Sequence, residues 1–161
     1  MPGEKLHPSA LRVVDVLKAR GVNGPFREFT VPTKTAADAA TALHCEVGAI
    51  ASTLVFMADD EPVVVLKSGA FRVDTEKLRR HLGASSVRQA TPDEVREATG
   101  QPVGGVSPVG WPRPIPCLID DSLAAFGQLW AACGTPNAVF GTSFGELRSL
   151  TGAVPISLRQ D

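Results

Sequence analysis

A glycine- and proline-rich stretch in the second half of the chain has the residue types to bind an anion through its main chain. Positions 101–116 hold five prolines and three glycines. Gly104 and Gly105 lack side chains that would block close approach, and Pro108 restricts the conformations of the segment. A rigid loop of this kind can hold N–H groups against the oxyanion that forms when a carbonyl carbon is attacked. The alternative is an ordinary connecting loop.

Two adjacent carboxylates, Asp120 and Asp121, follow an apolar run that predicts a strand. A carboxylate at the end of a strand could orient a positively charged amine or a water molecule, and we favour Asp120 for that role. The alternative is a cap for the segment that begins at Ser122. The residues themselves leave both interpretations open.

Other kinds of active site find no support in the sequence. His7, His44 and His81 are scattered without metal-ligand spacing, and no cysteines cluster with them. There is no Walker A motif and no GxGxxG, so no nucleotide cofactor is expected. Residues 141–145 resemble a nucleophile elbow only superficially, and Ser143 is better interpreted as a helix N-cap. We therefore expect neither a cofactor nor a metal.

The composition is that of an ordinary globular domain. The 161 residues fit a single domain spanning 1–161, with 43% apolar and 20% charged residues. A formal net charge of −1 provides no basic field, so contact with nucleic acid must be local and a general DNA-binding role is disfavoured. Three cysteines without a CxxC pair, no signal peptide and no apolar stretch of about 20 residues favour a cytoplasmic protein without a membrane partner.

Hydrophobic periodicity and turn residues predict a mixture of helices and strands that would position these groups. Helices are predicted at 11–17, 35–43, 74–82, 91–100 and 143–150. Strands are predicted at 26–31, 52–58, 63–67, 70–73, 86–90, 115–119, 138–141 and 154–158. Residues 122–132 are compatible with a helix or a mixed segment. Because the elements do not follow strict βαβ alternation, the predicted fold class is α+β, with a curved, mostly antiparallel sheet and surrounding helices.

The order of these elements and several motifs resemble one known family, the YbaK/prolyl-tRNA synthetase-associated editing domains. The resemblance runs from about Phe29 to the end of the chain. It is carried by residues 30–33 with the alanine-rich helix, 50–56, 104–110 and 118–123, and residues 73–78 and 82–84 also resemble the family. It implies a central pocket and hydrolysis of the ester that joins a wrong amino acid to tRNA, often tRNA for proline. Since no synthetase core is present in the sequence, the resemblance is to members that act in trans.

The resemblance also implies two sets of site residues. Ester hydrolysis needs a positioned water and oxyanion stabilisation more than a strong nucleophile. The expected catalytic residues are Gly104, Gly105, Ser107, Pro108 and Asp120. The expected substrate-binding residues are Val31, Thr33, Ser52, Thr53 and Thr142. These small or β-branched side chains favour a small amino acid such as alanine, cysteine or 2-aminobutyrate, although a role in the strand core is an alternative for Val31.

One departure from the family affects the functional expectation. Many members carry a lysine at the position of Ser52, and a hydroxyl cannot supply its charge. Lys34, Lys67 and Arg72 are candidates to supply that charge instead. The expected function is an aminoacyl-tRNA deacylase acting in trans on the tRNA acceptor end, with prolyl-tRNA synthetase as a further candidate partner. The alternative is a non-catalytic module of the same fold that binds aminoacyl-tRNA or a protein partner.

Overall fold

A computed structural model describes residues 7–30, 33 and 35–160 of the chain. The helices in this part are α1 (Pro8–Ala19), α2 (Ala36–Leu43), α3 (Thr75–Leu82), α4 (Pro92–Thr99) and α5 (Phe144–Thr151). The strands are β1 (Phe26–Glu28), β2 (Ile50–Ala58), β3 (Glu61–Ser68), β4 (Val87–Gln89), β5 (Cys117–Asp120), β6 (Leu129–Ala132), β7 (Ala138–Thr142) and β8 (Val154–Ile156). Short 3-10 helices cover Val47–Ala49 and Asp121–Ala125.

The strands form one sheet in the order β1-β7-β6-β2-β3-β5-β8, and β4 pairs with the far end of β2. The pairs β1–β7, β6–β7, β2–β3 and β2–β4 are antiparallel. The pairs β2–β6, β3–β5 and β5–β8 are parallel. The expected α+β class with a mostly antiparallel sheet is confirmed. The long β2–β3 hairpin lies at the centre of the sheet.

Local capping explains why the helices begin where the sequence predicts. Thr35 Oγ1 accepts a hydrogen bond from Asp38 N at 3.1 Å, which starts α2. Thr91 and Glu94 form a capping box at the start of α4. Ser143 Oγ accepts from Glu146 N at 3.1 Å, which confirms the interpretation of Ser143 as an N-cap. These bonds join residues three apart and therefore do not depend on the rest of the fold.

Helices cover both faces of the sheet. On one face, α1, α4 and α5 pack their apolar side chains on the sheet, as Leu17, Val95 and Leu147 show. On the other face, α2 packs over Trp130 and Val139, and α3 packs over the β2–β3–β5 region. Within the described residues, no helix has the length and apolar character needed to span a membrane.

Two sequence expectations need correction or completion. The predicted strand at 70–73 is wrong, since only Val73 makes a single bridge, to Arg159. Instead, Ser68 Oγ accepts from Ala70 N at 3.3 Å and donates to Gly48 O at 2.8 Å, which turns the chain away from the sheet. The ambiguous segment at 122–132 divides into the second 3-10 helix and β6.

Candidate functional site

A cavity of about 430 Å³ lies beside the central strand β2, where that strand has a neighbour on one edge only. β3 pairs with β2 along residues 51–58. On the opposite edge, β6 reaches only as far as Ala51 and β4 begins at Phe56. Consecutive residues of β2, Ile50 to Leu54, line the cavity, as expected for a strand that is approached edge-on. Segments of α2, the loop after α4 and the β6–β7 hairpin complete the wall.

Thr53 lines this cavity with polar groups that have no partner among the described residues. Ile50 O accepts from Gly69 N at 2.8 Å on the β3 side, whereas Val55 O accepts from Ala90 N at 3.0 Å on the opposite edge. Since main-chain groups alternate along a strand, the N–H and C=O of Thr53 face the cavity edge. Thr53 is only 8% exposed, and its Oγ1 has no hydrogen-bond partner in the described part of the chain. Buried polar groups are nearly always paired in folded proteins, so this cluster indicates a ligand site.

The loop after α4 owes its shape to one buried side chain, Gln101. Its Nε2 donates to Val109 O at 2.9 Å, and its Oε1 accepts from Ser107 N at 2.7 Å. Ser107 Oγ also donates to Val109 O, at 2.8 Å. Because Gln101 and Ser107 are both buried, water does not compete for these bonds. The loop is therefore a rigid wall of the site.

Some main-chain amides of this loop donate hydrogen bonds within the loop, and others have no such partner. Gly105 N donates to Pro102 O at 2.9 Å, and Ser107 N is taken by Gln101. The amides of Gly104 and Val106 have no hydrogen-bond partner among residues 7–30, 33 and 35–160, and both residues line the cavity. These two amides, with that of the neighbouring wall residue Val103, are therefore available to a ligand.

Gly105 has a packing role next to those amides. A Cβ atom on Gly105 would lie 2.5 Å from Thr135 C and 2.7 Å from Pro136 N, closer than side chains approach backbone atoms. The absence of a side chain thus lets the loop close onto the β6–β7 turn. That contact positions Gly104 and Val106 against β2.

The structure places three of the five expected substrate-binding residues together. Thr33, Ser52 and Thr53 line the cavity, and Thr33 Oγ1 donates to Pro136 O at 3.2 Å. Val31 lies outside the described residues. Thr142 does not line the cavity, since its Oγ1 donates to Glu146 Oε1 at 2.7 Å near the start of α5.

Four of the expected catalytic residues lie away from the cavity wall. Gly104 lines it, whereas Gly105, Ser107 and Pro108 stand behind it in the loop. Asp120 is 2% exposed at the end of β5, and its Oδ1 accepts from Ser122 N at 3.0 Å, as in the capping alternative.

Asp120 nevertheless belongs to a polar row that leads to the cavity. Ser52 on β2 is the cross-strand partner of Lys67 on β3, so the two side chains leave the sheet on the same face. The register of β3 with β5 puts Asp120 on that face beside Lys67. Burial lowers the pKa of Lys67, and the charge of Asp120 opposes that effect. The half-buried ammonium therefore lies between a buried carboxylate and a residue of the cavity wall. Of the other candidates to supply this charge, Lys34 lies outside the described residues, and Arg72 is exposed.

Sequence reasoning missed several residues of the wall, chiefly those on the β6–β7 hairpin. Trp130, Ala132, Pro136, Asn137 and Val139 all line the cavity. The guanidinium of Arg27 lies 5.5 Å from the centre of the Trp130 ring. A strand predicted within residues 122–132 would have placed Trp130 and Ala132 on the sheet and pointed to this wall. In the described ranges, no group of three or more His, Cys, Asp or Glu residues is arranged to hold a metal ion.

Comparison with known families decides which class of protein carries this site. Residues 30–150 match the family described as the aminoacyl-tRNA editing domain. The chain belongs to the aminoacyl-tRNA editing domain family. A solved structure described as a candidate trans-editing enzyme for prolyl-tRNA synthetase superposes on this editing domain with a TM-score of 0.92 and 42% identity, covering 98% of this chain and 100% of the other. The expected resemblance to the YbaK-like family is confirmed.

Relatives of this editing domain include both small proteins and parts of large ones. The uncharacterized protein YwhH of Bacillus subtilis is 31% identical over 121 residues, covering 74% of this chain and 76% of YwhH. A proline–tRNA ligase of Leuconostoc mesenteroides is 37% identical over 91 residues, which are 56% of this chain. The match spans only 16% of the length of that ligase. The editing domain therefore corresponds to a small part of the ligase.

Proposed function

We propose that this editing domain is a deacylase that acts in trans on tRNA carrying a small, wrong amino acid, and that tRNA for proline is its substrate. The observation that carries the proposal is the Thr53 hydroxyl, which has no hydrogen-bond partner among the described residues, in a cavity that is also lined by the loop residues Gly104 and Val106, whose amides have no described partner. The likeness to a structure described as a candidate trans-editing enzyme for prolyl-tRNA synthetase supports the choice of tRNA.

The proposed reaction is attack by a positioned water on the carbonyl carbon of the ester. The water oxygen bonds to that carbon, and the bond to the 3′-terminal ribose oxygen breaks. The products are the free amino acid and the tRNA with its terminal hydroxyl, and the neighbouring ribose hydroxyl shares in the proton transfer. The Gly104 and Val106 amides stabilise the oxyanion, and Thr53 orients the aminoacyl group.

Selection by size follows from the cavity wall. Besides its hydroxyl residues, the wall contains many small side chains: Ala36, Ala39, Ala51 and Ala132. A pocket gains only about 1–3 kcal/mol of preference from one methylene, so excluding larger amino acids is the effective way to spare correctly charged tRNA. Alanine, cysteine and 2-aminobutyrate are the amino acids that we propose as substrates.

The positive charge that Ser52 lacks is, in this proposal, supplied from the next strand. Lys67 is directly opposite Ser52, and its ammonium group has no hydrogen-bond partner in the described part of the chain. The charge of Asp120 opposes the lowering of the Lys67 pKa that burial causes. Asp120 then acts through Lys67 as a positioning residue.

The decisive experiment is the release of alanine, cysteine or 2-aminobutyrate from mischarged tRNA by the purified protein. We expect release of at least one of them above the uncatalysed rate. If none of these substrates is hydrolysed, the proposed enzyme activity is refuted.

The variant Thr53→Val tests whether the Thr53 hydroxyl contacts the substrate, because its expected effects on activity and on stability are opposite. Valine keeps the shape but removes the unpaired hydroxyl, so we expect kcat/KM to fall roughly tenfold for the loss of one ligand hydrogen bond. The free energy of unfolding should rise by about 1 kcal/mol, because a buried hydroxyl without a partner is removed. Steady-state kinetics and urea unfolding measure the two effects.

Thr151→Val is the matched control for this change. Thr151 Oγ1 donates to Leu147 O at 2.7 Å and accepts from Ala153 N at 3.0 Å, away from the cavity. Its loss should therefore lower stability and leave kcat/KM unchanged. Full activity of Thr53→Val would show that the hydroxyl does not contact the substrate.

The variant Ser52→Lys tests the alternative, a non-catalytic binding module. We expect the wild type to hydrolyse mischarged tRNA and the variant to differ from it by less than about tenfold in kcat/KM, because a second ammonium opposite Lys67 adds repulsion along with charge. Binding of charged tRNA without turnover by the wild type, together with hydrolysis by Ser52→Lys, would establish the module instead.

A further inference from the structure

A second cavity, of about 660 Å³, adjoins the substrate cavity. Pro136 and Asn137 line both cavities, so a ridge at the β6–β7 turn separates them. The second cavity is bordered by α1 on one side and by the end of α4 on the other. We call it the basic groove, because two arginines, Arg12 and Arg96, line it.

The two charged side chains that line the basic groove are both positive, and one carboxylate, Glu28, contacts its border, where Oε2 accepts from His7 N at 3.3 Å. No aspartate or glutamate is among the described residues that line it. Arg12 Nη2 donates to Ser9 Oγ at 3.2 Å, and Arg96 has no ion pair in the described part of the chain. Both side chains are exposed, and the described part of the chain provides no partner for their remaining N–H groups. In a chain of net charge −1, this is a local concentration of positive charge.

Close packing holds the basic groove in a fixed position relative to the substrate cavity. A Cβ atom on Gly134 would lie 2.7 Å from Val13 Cγ2 and 2.8 Å from Ser9 O, so α1 packs directly on the β6–β7 turn. Gly105 packs as closely on the other side of the same turn, at Thr135. The ridge is therefore packed between α1 and the loop after α4. A ligand that crosses the ridge contacts both cavities in a fixed relative geometry.

We propose that the basic groove binds the phosphate backbone of the single-stranded 3′ end of the RNA whose terminal ester enters the substrate cavity. This inference rests on the proposed function and locates the partner on the protein. Guanidinium groups match phosphate oxygens in charge and in bidentate geometry. Two arginines from different helices suit successive phosphates of one strand that crosses the ridge.

The test is equilibrium binding of an uncharged RNA hairpin that ends in a single-stranded CCA to the wild type and to Arg12→Ala, Arg96→Ala and the double variant. Each single change should weaken binding roughly fivefold, and the slope of log K against log salt should fall by about 0.7 for each phosphate that is no longer bound. Arg80→Ala, an exposed arginine on α3 outside both cavities, is the matched control and should leave affinity and slope unchanged.

A substrate without the preceding phosphates separates this inference from the proposed function. The double variant should hydrolyse an alanyl ester of adenosine as fast as the wild type does, while losing activity on mischarged tRNA. If the double variant binds the hairpin with wild-type affinity and salt slope, the inference is overturned. If the wild type binds the hairpin through both arginines but hydrolyses neither ester, the proposed function fails and the groove is supported.

Discussion

Replacing Gly105 by alanine should lower kcat/KM for a mischarged tRNA about 100-fold. The new Cβ would lie within 2.5–2.7 Å of main-chain atoms of Thr135 and Pro136, which cannot rotate away as a flexible side chain does. The loop must therefore move outward, and it carries the free amides of Gly104 and Val106 with it. A displacement of about 1 Å in a positioned catalytic group costs on the order of 100-fold in rate.

The same substitution at Gly145 is the matched control. Gly145 lies in α5 with a φ outside the left-handed region, and a Cβ atom added there would have no atom within 4 Å beyond its chain neighbours and the backbone of its own helix. Gly145→Ala should therefore keep full activity and gain up to about 1 kcal/mol of stability from helix propensity. Activity and urea unfolding are measured for both variants. A Gly105→Ala protein that is folded and fully active would show that the loop amides do not take part in the reaction.

Replacing Gln101 by alanine should be the most destabilising change in the loop. It leaves Ser107 N buried without an acceptor and removes one of the two donors to Val109 O. We expect a loss of about 2–4 kcal/mol in the free energy of unfolding, from the unpaired amide and the space left behind. Activity should fall as well, because the wall that holds Gly104 and Val106 is no longer rigid.

Two further variants make the Gln101 prediction specific. Gln101→Glu keeps an acceptor for Ser107 N but places a carboxylate oxygen against Val109 O, so its stability should lie between those of the wild type and Gln101→Ala. Gln89→Ala removes an exposed glutamine from β4 and should have no effect. Wild-type stability of Gln101→Ala would mean that the loop keeps its shape without this side chain.

The features of the site that could be predicted are those fixed by residues close together in sequence. Thr35, Thr91 and Ser143 cap helices through bonds to residues three positions away, so the printed sequence suffices to find them. The stiffness of residues 101–116 is likewise visible in the number of prolines and glycines. Gln101 escaped notice because a glutamine shows no sign of being buried until the loop folds around it.

The roles of the hydroxyl and charged residues depended on strand register. Ser52 and Lys67 are fifteen positions apart in sequence, and only the β2–β3 register makes them neighbours. Thr53 was already an expected substrate-binding residue, but only the structure shows that β6 and β4 leave a gap at its edge of β2. The same topology placed Thr142 at the start of α5 and outside the cavity.

The sequence by itself therefore determined the helices, most strands, the fold class and the family of this protein. These follow from short-range patterns: side-chain periodicity, caps, turn residues and motifs that each lie within a few positions. Only the tertiary structure decided where the cavity is, which loop residues line it and which charges adjoin it. Those features arise where strands distant along the chain pair or fail to pair, as at Ile50 and Trp130, and no local pattern encodes such a meeting.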